Sequence, residues 1–219
     1  MGATKRLGER LVKSISDTET RFMAVRFGNV LGSDGSVVPT FRKQIAAGGP
    51  VTVTHKEATR YFMTIPEAVQ LVLMAGAMGE GGEVFLLQMG TPIRIVDLAR
   101  NLIELSGLTL DRDIRIAFTG LRPGEKLHEE LTSDQETALA TSNEKIMVLT
   151  GVEALGNEGW HHLRALEQAA IDGHLESTLE ELMSLVPDYS PVTPAPSRAR
   201  VPTPRVVGIS VKRRPDVLV

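Results

Sequence analysis

The sequence contains no cysteine, which excludes a disulfide-stabilised domain and a zinc site built on thiolates. It has no apolar run near the ~20 residues that a helix needs to cross a bilayer. The first residues lack the apolar core and small-residue cleavage site of a signal peptide. Neither charge is in large excess, since the net charge of -3 gives no general attraction to nucleic acid or an anionic membrane. We therefore expect a cytoplasmic protein with no nucleic-acid partner and no membrane segment in this chain.

What is present is an ordinary globular composition. Hydrophobic residues make up 42% of the 219 positions and charged residues 23%, so a buried core is expected. Prolines cluster from Pro187 onward, where the composition becomes typical of disordered segments. We divide the chain into a main α/β region over residues 1–150, a helical extension over 151–187 and a disordered tail over 188–219.

Helical and strand patterns alternate in the main region, which predicts an α/β fold with partly parallel strands. The chain starts inside an amphipathic helical pattern with no cap before it, so we expect that a preceding N-terminal part is missing. The predicted strands are 21–27, 51–54, 61–64, 83–88, 114–118 and 146–149, and the predicted helices are 38–47, 66–78, one from Pro92, 125–131 and two between 152 and 186.

Four stretches, in this order and spacing, resemble one family. They are MGATKR (Met1 to Arg6), RFGNVLGSDGSVVPTF (Arg26 to Phe41), TRYFMTIPEAV (Thr59 to Val69) and GLRPGEKLHEEL (Gly120 to Leu131). Together they resemble the bacterial polysaccharide-biosynthesis nucleotide-sugar 4,6-dehydratases and epimerases, which are extended short-chain dehydrogenases/reductases. The resemblance covers residues 1–150. It implies the C-terminal half of a Rossmann-type fold with a small α/β substrate-binding lobe, without the preceding NAD-binding half.

Lys5 and Met1 take the places of the catalytic Lys and Tyr of this superfamily, which lie four residues apart on one helix face. The resemblance implies that Lys5 is catalytic and binds the cofactor ribose. It also implies a sub-group with Met at the Tyr position, so that the catalytic base lies upstream of Met1. The alternative is that Lys5 is a surface lysine.

The glycine-rich loop after the first strand is the next candidate binding element. The resemblance implies that Asn29 lies beside the nucleotide-sugar pyrophosphate and Val30 near the nicotinamide. It also implies that Ser36 and Val37 belong to the loop over the nucleotide base. Asp34 stands where the family commonly has a basic residue, which argues against a charge contact there, and the alternative for the whole stretch is an ordinary turn.

Arg60 and Arg122 are the candidate diphosphate ligands, because guanidinium groups bind phosphate oxygens with paired, directional hydrogen bonds. The resemblance implies that both contact the diphosphate and that Glu125 accepts from the ribose hydroxyls. We expect both arginines to face one cleft that Asn29 also lines, with Lys5 at its far end. The alternative for each arginine is a solvated surface charge.

The histidines predict no metal site. His161 and His162 are adjacent, and helical neighbours point about 100° apart, so they cannot chelate one ion well. His55 and His128 are isolated, and His128 is expected to have a packing role.

The resemblance implies part of an NAD-dependent UDP-sugar 4,6-dehydratase in surface polysaccharide or glycan biosynthesis. NADP is left open as cofactor, the complete protein is expected to form a homo-oligomer, and an inner-membrane anchor upstream is left open. The alternatives are an epimerase of the same family and a non-catalytic nucleotide-sugar-binding fragment. We expect the isolated chain to be inactive, because no glycine-rich dinucleotide motif follows a strand in this sequence.

Overall fold

The computed structural model describes residues 2–15 and 19–191. Residues 16–18, residues 192–219, which are most of the segment interpreted as a tail, and Met1, interpreted above as the counterpart of the usual Tyr, lie outside the described residues. The helices are α1 (Gly2–Ser14), α2 (Val37–Ala46), α3 (Ile65–Met78), α4 (Ile95–Leu105), α5 (Asn157–Ile171) and α6 (Leu175–Leu185). The strands are β1 (Ala24–Arg26), β2 (Asn29–Val30), β3 (Val51–Val53), β4 (Thr59–Arg60), β5 (Phe62–Met63), β6 (Val84–Leu87), β7 (Ile93–Arg94), β8 (Ile116–Phe118), β9 (Thr137–Ala140) and β10 (Ile146–Thr150).

The main sheet has the strand order β1-β6-β10-β9. Strand β1 pairs parallel to β6, and β10 pairs antiparallel to both β6 and β9. All four residues of β6 are buried, as expected for a strand covered on both faces. Two further parallel pairs, β2–β5 and β3–β8, confirm the prediction of an α/β fold with partly parallel strands.

Apolar side chains fill both faces of this sheet. On one face, Ala68, Leu71 and Ala75 of α3 pack with Phe85 and Leu87 of β6. The other face carries Val84, Leu86, Leu149 and Val152. Helix α3 begins where the side chain of Thr64 accepts a hydrogen bond from the backbone N–H of Glu67, an N-cap that satisfies a free donor of the first turn.

A second, smaller lobe is built from α2, β3, β8 and α4. Its core includes the buried residues Phe41, Val51, Val53 and Ile103. Because β3 and β8 are parallel, their carboxyl ends lie side by side, and Thr54 and Thr119 begin the loops that leave them. This edge positions the candidate site.

The C-terminal helices α5 and α6 pack together, as the sequence predicts two helices here, and they also contact α1. Leu7 of α1 lies in one cluster with Leu155, Leu185 and Val186. Within residues 2–15 and 19–191, no helix combines the length and apolarity needed to cross a membrane.

The predicted helix over residues 125–131 is wrong, because no helix or strand forms there. The guanidinium of Arg60 takes the carbonyls of Lys126 and Leu127 as acceptors. In a helix these carbonyls would accept from backbone N–H groups one turn later, so the tertiary contacts override local propensity.

Further differences affect the strands, and the short strands β2 and β4 lie outside the predicted strands. The helix predicted from Pro92 begins only at Ile95, since Ile93–Arg94 pair with Thr59–Arg60 as β7. Strand β9 is absent from the sequence-based prediction, because its TALA sequence has neither β-branched enrichment nor a clear alternation of apolar and polar residues.

Candidate functional site

Two adjoining cavities open at the carboxyl ends of β3 and β8, the edge at which ligands bind in open α/β sheets. The smaller has a volume of about 290 Å³ and the larger about 1810 Å³. The residues common to both walls are Gly35, Val37, Phe41, Thr52, Thr54 and Glu125. The two cavities therefore form one continuous candidate cleft.

Asn29 and Ser36 line the smaller cavity and are held by backbone pairing. The N–H of Asn29 donates to the carbonyl of Tyr61 at 2.9 Å, which fixes β2 beside β5. Gly28 permits this approach, because a Cβ there would lie 2.9 Å from the Cβ of Tyr61. The Ser36 hydroxyl is buried and has no hydrogen-bond partner among the described residues.

Arg60 also lines the smaller cavity, and protein acceptors surround its guanidinium. Its Nη1 donates to the carbonyls of Thr59 at 2.7 Å and Leu127 at 3.1 Å. Its Nη2 donates to the carbonyl of Lys126 at 2.9 Å and to Glu125 at 3.4 Å. Its Nε lies 3.4 Å from Glu129, and the side chain is 15% exposed. Through these hydrogen bonds, Arg60 holds the loop that follows β8 in place.

Glu125 lies on the wall between the two cavities and ties several segments together. Its Oε1 accepts from the hydroxyl of Thr54 at 3.0 Å and from Arg60. Its Oε2 accepts from the backbone N–H of Arg122 at 3.2 Å. Because each carboxylate oxygen can accept more than one hydrogen bond, Glu125 retains acceptor capacity toward the cleft.

Arg122 and Lys5 line the larger cavity. Both residues are exposed, and neither side chain forms a hydrogen bond or ion pair with any residue that the structure describes. Gly124 supports the turn that presents Arg122, since it adopts a φ of 77°, which side-chain-bearing residues rarely adopt. The cleft thus has two cationic groups free to meet an anion.

A second charged cluster joins helix α1 to the sheet at one end of the larger cavity. Arg26 donates to both oxygens of Glu9 and both of Glu136, with the shortest contacts at 2.6 and 2.8 Å. The Glu136 side chain is only 2% exposed. Burial opposes its ionisation, but hydrogen bonds from Arg26 and from the backbone of Ser133 outweigh burial and lower its pKa to about 2. The same pairing raises the pKa of Arg26 against the effect of burial, so both groups stay charged.

The structure brings most of the sequence-predicted residues to this cleft. Asn29, Ser36 and Arg60 line the smaller cavity, Lys5 and Arg122 line the larger, and Val37 and Glu125 line both. We expected both arginines to face one cleft. Arg60 lines the smaller cavity and Arg122 the larger, and Glu125 lines both cavities between them. Val30 is outside both sets of cavity residues and packs against the core beside α3.

Sequence reasoning missed three groups of cavity residues. Thr54 could have been found, because it directly follows the VTV strand and so lies at a sheet edge. The Arg26–Glu136 and Arg6–Asp188 pairs carry no local signal, since their members are more than 100 positions apart, and Tyr189 lies outside the recognised motifs. Within the described part of the chain, no group of three His, Cys, Asp or Glu side chains could hold a metal ion.

Comparison with known proteins identifies the class. Residues 1–151 match the family described as "Polysaccharide biosynthesis protein". The chain is 61% identical over 148 residues to the capsular polysaccharide biosynthesis protein CapD of Staphylococcus aureus, covering 67% of this chain and 24% of CapD. It is 38% identical over 144 residues to a UDP-glucose 4-epimerase of Rickettsia akari, covering 64% of this chain and 41% of that protein. The crystal structure of Pen from Bacillus thuringiensis matches with a TM-score of 0.60 at 36% identity, covering 68% of this chain and 47% of Pen.

The chain therefore belongs to the polysaccharide biosynthesis protein family, as the four motifs predict. Its mixed α/β fold with partly parallel strands matches part of the Pen structure, which confirms the prediction of the α/β fold class. The chain spans less than half of each of these relatives, and helices α5 and α6 lie beyond the family match.

Proposed function

We propose that the chain carries the nucleotide-sugar-binding part of an NAD-dependent UDP-sugar 4,6-dehydratase that acts in surface polysaccharide biosynthesis. The observation that carries the proposal is that Arg122 and Glu125 both line a cleft at the carboxyl ends of β3 and β8, where the Arg122 side chain is exposed and unpaired among the described residues. Every UDP-sugar contains a diphosphate and a ribose, and a cation with a neighbouring carboxylate can bind these two groups. The guanidinium binds phosphate oxygens, and the carboxylate accepts from ribose hydroxyls.

In this proposal the smaller cavity holds the nucleoside end of the ligand. Asn29 contacts the pyrophosphate, and Ser36 and Val37 contact the base. The unpaired buried hydroxyl of Ser36 supports this, because a buried polar group without a partner costs free energy that a ligand atom could recover. Arg60 holds the loop in place, and it contacts the diphosphate directly only where Glu125 or Glu129 releases it.

NAD is the proposed cofactor, and its redox chemistry would remove a hydride from the sugar and return it. Lys5 fits such a group, since its exposed and unpaired ammonium on the larger cavity can donate to ribose hydroxyls. Val30 would add only apolar surface beside it. A cytoplasmic location and self-association of the complete protein belong to the same proposal.

The second candidate is a nucleotide-sugar epimerase. It is favoured by the 38% identity to the UDP-glucose 4-epimerase, which extends over 144 residues of this chain. The binding cleft would serve both reactions, because epimerisation and dehydration begin from the same UDP-sugar. Mass spectrometry of the product separates them in the complete enzyme, since dehydration removes one water and epimerisation leaves the mass unchanged.

Isothermal titration calorimetry of the 219-residue chain with UDP tests the binding proposal. We expect Arg122→Ala to weaken UDP binding about tenfold or more, as removal of a charge-assisted hydrogen bond does, at unchanged unfolding temperature. Arg112→Ala is the matched control, because Arg112 is exposed and pairs only with its neighbour Asp113. Absence of UDP binding by the wild-type chain, or equal binding by Arg122→Ala, would overturn the proposal.

A further inference from the structure

The segment that follows α6 reaches into the candidate cleft. Val186, Asp188, Tyr189 and Ser190 line the larger cavity together with Lys5 and Arg122. These residues lie beyond position 151, where the family match ends. We propose that Asp188 and Tyr189 are specificity-determining residues of the site and contact the sugar of the bound nucleotide-sugar. This inference rests on the proposed function.

Several contacts fix the segment on helix α1. The guanidinium of Arg10 donates to the carbonyl of Leu185, and the backbone N–H of Leu155 donates to the hydroxyl of Ser14 at 2.6 Å. Beneath them, the apolar cluster of Leu7, Leu155, Leu185 and Val186 is buried. The segment is therefore part of the folded chain. Apolar burial and hydrogen bonds at both ends of the helical extension hold it in place.

The position of the segment assigns it to one end of the ligand. Asp188 pairs with Arg6 at 3.2 Å, and Arg6 is the neighbour of Lys5 on α1. Arg122 and Glu125 belong to the loop after β8, where the diphosphate and ribose are proposed to lie. With its diphosphate at this loop, a ligand that extends through the larger cavity toward α1 places its sugar near Asp188.

The side chains suit a sugar. Tyr189 is half-buried, and its ring packs partly against the apolar cluster on α1. An aromatic ring can cover the apolar C–H face of a pyranose, while its hydroxyl remains able to form hydrogen bonds. Asp188 is 53% exposed, so its carboxylate can accept from sugar hydroxyls while it pairs with Arg6.

The test compares two ligands by calorimetry, UDP and UDP-N-acetylglucosamine, on the full 219-residue chain. We expect Tyr189→Ala to weaken binding of UDP-N-acetylglucosamine about three- to tenfold, the usual range for an aromatic contact, and to leave UDP binding within twofold of wild type. Tyr189→Phe should retain most of the sugar contribution. Leu175→Ala, at an exposed position at the start of α6 outside the cavity, is the control and should change neither affinity.

Unchanged affinity of Tyr189→Ala for UDP-N-acetylglucosamine would overturn the inference and leave the proposed function intact. The inference would also be overturned if the wild-type chain bound the two ligands with equal affinity, or if Tyr189→Ala lost the same affinity for both. In either case the segment would not contact the sugar. A wild-type chain that binds neither ligand would instead overturn the proposed function. Thermal unfolding of each variant separates loss of a contact from loss of the fold.

Discussion

The guanidinium of Arg60 lies 3.4 Å from the carboxylate of Glu125, and that carboxylate also accepts from the backbone N–H of Arg122. One half-buried arginine on β4 thus orders the loop that presents a second arginine to the cleft. The two arginines have different surroundings, since Arg60 is 15% exposed and surrounded by acceptors while Arg122 is exposed and free. They should therefore respond differently to substitution.

Arg60→Lys should loosen the loop over residues 122–129. Lysine has three rotatable donors in place of a planar fork of five, so it cannot serve the carbonyls of Lys126 and Leu127 and the Glu125 carboxylate together. We expect backbone amides of the loop to exchange hydrogen about tenfold faster, and the free energy of unfolding to fall by roughly 1–3 kcal/mol. Arg94→Lys is the control, since Arg94 forms an exposed pair with Asp97. Unchanged exchange in the loop would contradict the role assigned to Arg60.

Glu125→Ala should reduce discrimination between UDP and its 2′,3′-dideoxy analogue. The wild-type chain should prefer UDP by about tenfold, because a carboxylate accepting from a ribose hydroxyl forms a charge-assisted hydrogen bond. The variant should bind the two ligands within about twofold of each other, the residual expected once that bond is gone. Glu104→Ala, on the exposed face of α4, should behave as wild type. A preference for UDP that survives Glu125→Ala would assign the ribose contact to another group.

Glu136 should make the stability of the chain depend on pH in the acid range. Its pKa is lowered from 4.5 to about 2, so its contribution to stability is complete above about pH 4.5 and is lost as the pH falls toward 2. A lowering of this size corresponds to roughly 3 kcal/mol. Glu136→Gln should therefore be less stable than wild type at pH 7, and the difference should shrink below pH 4.5. Urea unfolding at several pH values measures this, and a difference that is constant from pH 7 to 2.5 would refute the ion pair's role.

The isolated chain should not turn over a UDP-sugar. The sequence has no glycine-rich dinucleotide loop after a strand, and Met1, which the family resemblance makes the counterpart of the usual Tyr, cannot accept a proton. Incubation with UDP-N-acetylglucosamine and NAD, followed by mass spectrometry, is expected to return the substrate unchanged. Loss of one water from the substrate would show that the chain is catalytic by itself.

Local pattern was sufficient to predict most helices and buried strands. Helix α3 illustrates this, because Pro66 in its first turn and a long apolar run mark it clearly. The loop over residues 125–131 is the opposite case. Its sequence is compatible with a helix, and hydrogen bonds from Thr59 and Arg60, more than 60 positions away, hold it in a non-helical conformation.

The residues of the candidate site also fall into a group that the sequence predicts and a group that it does not. Asn29, Arg122 and Glu125 lie in motifs that can be recognised in sequence, and they line the cleft. Asp188 and Tyr189 lie outside those motifs. They reach the cleft only because the apolar faces of α1 and the C-terminal helices pack together, a contact that no local pattern encodes.

A two-dimensional ¹H–¹⁵N NMR titration of the chain with UDP shows whether one ligand contacts both sides of the cleft. Backbone N–H signals of residues 35–37 and of Arg122, Gly124 and Glu125 should shift together with one saturation curve, since both segments line the same cleft. Amides of helix α5, which supplies no residue to either cavity, should remain in place. Shifts confined to α5 and α6, or no shifts at millimolar UDP, would contradict the account.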